Sequence, residues 1–146
     1  MPLISVVDDD LSVCRALRRL IRSAGYTVET FASAREFLDS SPEGQTTCLV
    51  LDIHLGGMSG FELQEQLAAT RAAIPIIFIT AYDDASIRER ITRSGVTAYL
   101  RKPFDERVLL DAIRTAVGQA EGGGAGNGDP DASRSAGAKR EPFPTT

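Results

Sequence analysis

The chain has 146 residues, the size of one ordinary domain, which excludes a multidomain enzyme within these residues. Apolar residues make up 42% and charged residues 25%, the balance of a globular domain rather than a disordered or fibrous one. With 16 Lys and Arg against 20 Asp and Glu, the formal charge is −4, so the basic footprint of a nucleic-acid binder is missing and no direct nucleic-acid contact is expected.

No uninterrupted apolar run approaches the ~18 residues of a membrane-spanning helix, so no membrane contact is expected. The segment Met1-Pro2-Leu3-Ile4-Ser5 lacks the basic and apolar regions of a signal peptide, which points to a cytoplasmic protein. Cys14 and Cys48 form no C-x-x-C pair and read as small buried apolar residues in a reducing compartment.

In chain order, Leu3-Ile4-Ser5-Val6-Val7 is a short apolar strand ending at Asp8-Asp9-Asp10. Val13, Leu17, Leu20 and Ala24 then recur at helical spacing, widened by Cys14 and Ile21, and Gly25 stops the helix. Asp10 or Asp9 is placed to cap it. Thr27 to Phe31, β-branched and aromatic, predicts a strand, and Ser33 to Glu36 a capping box before a short helix. Pro42-Glu43-Gly44 breaks the chain.

Cys48 to Leu51 is an apolar run closed by Asp52, followed by a Gly-rich loop and a second capping box, Ser59 to Glu62. Phe61, Leu63 and Leu67 mark the helix behind it. Pro75 to Ile79 is a third such run, closed by Thr80, and Ala85 to Ser94 is a polar helix ended by Gly95. Ala98-Tyr99-Leu100 is a short strand closed by Arg101-Lys102-Pro103. The last helix carries Val108, Leu109, Ala112, Ile113, Ala116 and Val117 on one stripe, with Asp105 as its cap.

After Ala120 the composition shifts. Residues 121–146 hold 6 of the 13 glycines and 3 of the 7 prolines, with Phe143 the one large apolar side chain. Such a segment buries too little to offset the entropy of ordering it, so 2–120 is expected to fold and 121–146 to form a flexible Gly/Pro/Ala-rich tail.

Five βα repeats with wholly apolar strands imply a parallel sheet covered on both faces. Right-handed crossovers favour a flavodoxin-like (βα)5 three-layer α/β sandwich of strand order 2-1-3-4-5. A dinucleotide-binding half is disfavoured, because no G-x-G-x-x-G follows the first strand.

In such a sheet the ends of strands 1, 3, 4 and 5 lie side by side, and they carry Asp8-Asp9-Asp10, Asp52, Thr80 and Lys102. Taken singly, each has a plain structural explanation: a cap, a turn, a strand end, a solvated charge. Together, at successive strand ends, they mark a ligand site. Carboxylates about 4 Å apart repel by roughly 4 kcal/mol at an effective dielectric near 20, so Asp8, Asp9 and Asp52 must hold a proton or recruit a cation. An all-oxygen set suits Mg²⁺, and the lack of a His/Cys cluster argues against zinc. An aspartate beside a metal, an ammonium and a hydroxyl fits formation of an acyl phosphate.

The ordered set Val6-Val7-Asp8-Asp9-Asp10, Leu51-Asp52, Met58-Ser59-Gly60, Thr80-Ala81 and Lys102-Pro103-Phe104 resembles the receiver domain of two-component response regulators. Its wording is closest to receivers of LuxR-type, nitrogen-fixation-regulator-like members, and the resemblance covers residues 3 to about 118. It implies that Asp52 is the phosphoacceptor, taking its phosphoryl group from a sensor histidine kinase. It implies further that Asp8, Asp9, Asp52 and the backbone carbonyl of His54 serve Mg²⁺, and that Thr80 and Lys102 hold phosphoryl oxygens. Thr80 and Tyr99 correspond to a switch pair, and the Lys102–Pro103 bond is expected to be cis. His54 and Tyr82 flank the acceptor as candidate modulators of phosphoryl loss; a solvated loop histidine is an equal reading of His54, and an ordinary strand aromatic nearly so for Tyr99. Where the family has Met-Pro, this chain has Leu55-Gly56, so a looser 53–59 loop is expected.

Three functions follow from the resemblance and the residues. The first is a stand-alone response regulator that signals through phosphorylation-dependent contact with an unknown downstream protein in a phosphorelay. The second is the receiver fragment of a longer transcriptional regulator. The third, a small Mg-dependent aspartyl phosphatase, is disfavoured because it wants a D-x-D motif on its first strand. On the first two readings the domain is no enzyme beyond its own phosphoryl transfer and dephosphorylation. A monomer and a phosphorylation-dependent dimer remain open, with Arg88, Arg90, Arg93 and Arg101 forming either a dimer face or a solvated basic face.

Overall fold

The computed structural model describes residues 2–40, 45–70, 73–82, 84–96 and 98–125. Ten elements alternate: β1 (Leu3–Val7), α1 (Leu11–Ser23), β2 (Thr27–Phe31), α2 (Ala34–Ser40), β3 (Thr46–Asp52), α3 (Gly60–Ala69), β4 (Ile76–Thr80), α4 (Ala85–Ser94), β5 (Ala98–Arg101) and α5 (Glu106–Ala125). The sheet is parallel throughout with order β2-β1-β3-β4-β5, the flavodoxin-like arrangement expected from the alternation. Its central strands are apolar because both faces are covered.

Alternation along each strand sorts the core into two layers. Ile4, Val6, Cys48, Val50, Ile77 and Ile79 face Leu17 and Ile21 of α1 and Leu109, Ile113, Ala116 and Val117 of α5. Val7, Leu49, Leu51 and Phe78 face Phe37 of α2, Phe61, Leu63 and Leu67 of α3, and Ile91 of α4. Burying each such aliphatic side chain stabilises the fold by about 1.5–3 kcal/mol. Both cysteines are free and buried, and burial pushes the Cys48 thiol up to about 12.

The helix ends follow the sequence signals, with two differences. Of the two expected candidates Asp10 caps α1, its carboxylate accepting from the backbone N–H groups of Ser12 and Val13. Ser59 and Glu62 form a reciprocal capping box on α3. At α2 the box is only half made. Ser33 accepts from the Glu36 N–H, but Glu36 reaches one residue further back, to the N–H of Ala32. α4 has a cap that periodicity does not reveal, Asp84 accepting from the N–H of Ile87, and it ends at left-handed Gly95.

β3 starts at Thr46, ahead of its apolar run. A bulge lets Leu3 pair with Thr46 and Ile4 with Cys48, and the buried hydroxyls of Ser5 and Thr46 satisfy each other at 2.8 Å. α5 continues to Ala125, past the boundary expected at Ala120, through Gly122-Gly123-Gly124. Extending an anchored helix needs no new nucleus, so poor helix formers can ride on its end. The rest of the expected tail, and the break at Pro42-Glu43-Gly44, lie outside the described residues. Among those residues no helix is long and apolar enough to cross a membrane.

Candidate functional site

The topology brings the ends of β1, β3, β4 and β5 together, and with them most of the chemistry the sequence displays. One carboxylate oxygen from each of Asp8, Asp9 and Asp52 lies within 4.8 Å of the other two. Asp8 and Asp52 are buried and Asp9 is exposed, so the cluster opens to solvent on the Asp9 side. Three carboxylates converging at this distance, two of them desolvated, form a donor set of hard oxygens suited to Mg²⁺.

Lys102 bridges the pair behind. Its Nζ donates to Asp8 Oδ2 at 2.8 Å and stands 3.5 Å from Asp52 Oδ2. The nearer partner is Asp8, which makes the Asp8–Lys102 pair the fixed wall of the site. Asp8 Oδ1 also accepts from the backbone N–H of Asp10, so the residue that caps α1 simultaneously holds Asp8 in place.

Burial pushes the Asp52 carboxyl up to about 6, and the charge of Asp8 adds to it. Lys102 and the backbone N–H of His54, which donates to Asp52 Oδ1 at 3.2 Å, work in the opposite sense without cancelling the rise. Burial pulls the Lys102 ammonium down, but its bond to Asp8 and the charges of Asp52 and Asp8 outweigh that and hold it above its ordinary value.

Asp52 is set by its backbone as well. The Ile53 N–H donates to Ile79 O on β4, and the Gly60 N–H donates to Ile53 O, so the first residue of α3 docks directly on the strand end. A Cβ at Gly60 would stand 2.5 Å from the Asp52 carbonyl oxygen and 2.9 Å from Ile53 Cα. Glycine is required here because backbone meets backbone. The loop before it turns at Gly57, whose φ of 80° is left-handed.

Thr80 is fully buried at the end of β4. Its hydroxyl donates to the Tyr82 carbonyl at 2.9 Å and accepts from the Tyr82 N–H at 3.0 Å, while the Lys102 N–H donates to its carbonyl. The side chain is thus engaged with its own loop rather than with Asp52. Tyr99 is half-buried against the α3/α4 layer and pairs in register with Phe78. The Lys102–Pro103 peptide is cis.

Two flanking residues that look separate in sequence meet at the rim. The rings of His54 and Tyr82 stand edge to face with centroids 4.7 Å apart, and both residues are exposed. The basic residues of α4 are less uniform than a solvated face requires, since the Arg90 guanidinium lies 4.2 Å from the centre of the Phe61 ring. Spacing carries no signal for that contact, or for the primacy of Asp8 over Asp52 as the lysine's partner. The close approach at Gly60 leaves only the glycine itself as a trace.

The family model of the response regulator receiver domain matches residues 4–114. The chain is 45% identical over 115 residues to Nodulation protein W of Bradyrhizobium diazoefficiens, covering 79% of this chain and 51% of that protein. Among solved structures, response regulator StyR superposes with a TM-score of 0.77 at 49% identity, covering 82% of this chain and 61% of that one. A response regulator receiver protein from Burkholderia phymatum gives 0.72 at 44%, covering 81% and 96%. The chain spans about half the length of the curated relatives it matches. Residues 4–114 make up most of the described fold, and the chain belongs to the response regulator receiver family.

Proposed function

We propose that this domain accepts a phosphoryl group on Asp52 from the phosphohistidine of a sensor histidine kinase, and that Mg²⁺ held by Asp8, Asp9, Asp52 and the His54 carbonyl assists the transfer. The single observation that carries the reading is the convergence of three carboxylate oxygens within 4.8 Å, with one ammonium in contact with two of those residues. Bound Mg²⁺ supplies positive charge to the phosphoryl oxygens.

The chain's own residues do the rest. An oxygen of ionised Asp52 forms the new P–O bond as the P–N bond to the donor imidazole breaks, and the imidazole leaves with the bonding pair and takes up a proton. Asp8 keeps Lys102 beside Asp52, where its ammonium can meet one phosphoryl oxygen. Thr80 reaches another only by giving up its bonds to Tyr82, so phosphorylation draws on the β4–α4 connection. That movement, with Tyr99 behind it, is the means by which charge on Asp52 alters a protein-binding surface. TdiR and FixJ, two of the longer relatives, are named transcriptional regulatory proteins, which supports reading this domain as the phosphorylation-sensing part of such a regulator.

Acetyl phosphate with Mg²⁺ tests the reading. Wild type acquires an acid-stable, base-labile adduct of one phosphoryl mass, and Asp52→Asn acquires none; labelling of Asp52→Asn to the wild-type level refutes it. His54 and Tyr82 pair at the exposed rim of the site, so His54→Ala is expected to change the adduct's lifetime severalfold while leaving its formation intact. An unchanged lifetime rejects a side-chain role for His54.

A further inference from the structure

The helix with the weakest hold on the core is α4. Among its described residues Ile91 alone is buried, with Ile87 half-buried one turn earlier, whereas α1 buries Cys14, Leu17 and Ile21. Two further ties run sideways from α4 to α3, and both are polar. The Arg90 guanidinium lies 4.2 Å from the centre of the Phe61 ring, and Gln64 Nε2 donates to the Ser94 carbonyl oxygen at 2.8 Å.

These two contacts form one seam. Phe61 and Gln64 stand at i and i+3 on α3, Arg90 and Ser94 at i and i+4 on α4, so each pair shares a face of its helix. Arg90 is exposed, yet the Phe61 ring it lies against is only 3% accessible, so the guanidinium helps to cover that ring. Phe61 also stands edge to face with Phe78 of β4, centroids 5.0 Å apart. Directly before it, the Gly60 N–H donates to Ile53 O, and the missing Cβ lets α3 sit against the Asp52 carbonyl. The start of α3 is thereby fixed to the end of β3, and the seam fastens α4 to that fixed body.

We infer that Arg90 and Gln64 form a latch that holds α4 at rest against α3, and that opening the latch speeds phosphorylation of Asp52. The second half rests on the phosphoacceptor reading given above. The seam is made while the Thr80 hydroxyl is bonded to Tyr82, in the β4–α4 connection that leads straight into α4. Redirecting that hydroxyl toward Asp52 draws on the connection, and a helix latched to α3 resists being drawn with it. The latch therefore weights the equilibrium toward rest and lowers the population that can be phosphorylated. Both of its contacts are of breakable size. A guanidinium on an aromatic ring at an exposed site shifts an equilibrium about 2- to 5-fold, and a neutral hydrogen bond about 2- to 10-fold.

The test combines amide hydrogen exchange of the unphosphorylated full chain with its rate of labelling by acetyl phosphate and Mg²⁺. In Arg90→Ala, exchange in α4 is expected to quicken about 3-fold or more while α1 and α5 stay within about 1.5-fold of wild type. Labelling quickens by about the same factor as α4 exchange. Gln64→Leu, which keeps the bulk and removes the donor, moves both readouts in the same direction. Arg90→Lys keeps a cation at the ring and stays near wild type in both. Glu89→Ala, exposed on the same helix and outside the seam, changes neither. In a Thr80→Ala background Arg90→Ala still quickens α4 exchange but no longer quickens labelling, because no hydroxyl is left to redirect.

Equal α4 exchange in wild type, Arg90→Ala and Gln64→Leu overturns the inference. So does a rise shared equally by α1 and α5, which marks a general loss of stability rather than a latch. Labelling that is unchanged or slower in Arg90→Ala while α4 exchange rises overturns it too, since α4 is then held but not coupled to Asp52. An acceleration that persists undiminished in the Thr80→Ala background overturns the coupling through the β4–α4 connection. Failure of acetyl phosphate to label wild type refutes the phosphoacceptor reading instead, and amide exchange, which needs no phosphate, still decides whether the latch exists.

Discussion

Replacing Asp52 with Asn removes one of three facing carboxylates while keeping an oxygen that can accept from the His54 N–H. The Asp52 carboxyl stands at about 6 against an ordinary 3.8, raised by burial and by Asp8. A carboxyl raised in the folded state binds its proton more tightly there than in the unfolded chain. Stability is therefore highest in acid and falls as pH climbs from 3.8 through about 6. Each tenfold gain in proton affinity on folding is worth about 1.4 kcal/mol, so the ionised, metal-free site costs about 3 kcal/mol at neutral pH. The 3.5 Å contact with Lys102 is already counted in that figure, because it pulls the Asp52 carboxyl back toward its ordinary value. Asp52→Asn is then about 3 kcal/mol more stable than wild type at pH 7.5, roughly 12 °C in Tm for a domain of this size. Urea and thermal unfolding of both proteins in chelator, from pH 4.5 to 8, measure the difference, which shrinks toward the acid end. Mg²⁺ added at pH 7.5 raises the wild-type Tm far more than that of the variant. A difference independent of pH, or an Asp52→Asn protein less stable at pH 7.5, refutes the electrostatic account of the pocket.

Lys102→Ala leaves Asp8 and Asp52 facing each other unbalanced, and is expected to lose about 3 kcal/mol at pH 7.5, with the deficit shrinking near pH 5 as the Asp52 carboxyl takes up its proton; urea titrations at the two pH values decide it. Gly60→Ala forces α3 off the Asp52–Ile53 backbone, costing about 3 kcal/mol in urea unfolding and slowing acetyl-phosphate labelling, because the acceptor strand end moves with the helix. Gly56 has no atom within 4 Å of where a Cβ would stand and no left-handed φ, so Gly56→Pro restricts the unfolded chain and is expected to gain about 0.4–1 kcal/mol in a thermal melt; no gain, or a loss, contradicts the looser loop.

The sheet order is legible because alternation is enforced at every level here. The apolar central strands β1, β3 and β4, of five to seven residues, leave no choice but burial on both faces, and five βα units with right-handed crossovers leave few orders. The convergence of Asp8, Asp9, Asp52 and Lys102 follows from that order, since each closes a neighbouring strand. What stays hidden depends on side-chain reach. Strand ends bring Lys102 to the site, but only its torsions decide that Asp8 lies at 2.8 Å and Asp52 at 3.5 Å. His54 and Tyr82 belong to separate loops, and no periodicity relates the two rings. The extension of α5 to Ala125 is illegible for another reason: composition reports what a segment would do alone, not what it does when attached to a buried helix.

The pocket is built at a loss and is useful for that reason. Three carboxylates crowded together weaken the metal-free fold, and anything positive that settles among them recovers the lost free energy as binding. Lys102 is kept from cancelling the whole deficit because Asp8 holds it nearer to itself than to Asp52, so Asp52 stays under-neutralised in the metal-free site. The neighbouring loop is arranged in the same spirit. Thr80 commits both roles of its hydroxyl to Tyr82 in the resting state, and redirecting that hydroxyl toward charge on Asp52 breaks two bonds in the β4–α4 connection. Charge added at Asp52, as the proposed function has it, would meet a site already short of positive charge and a loop held by exchangeable bonds, which is how one covalent event would shift the surface around α4.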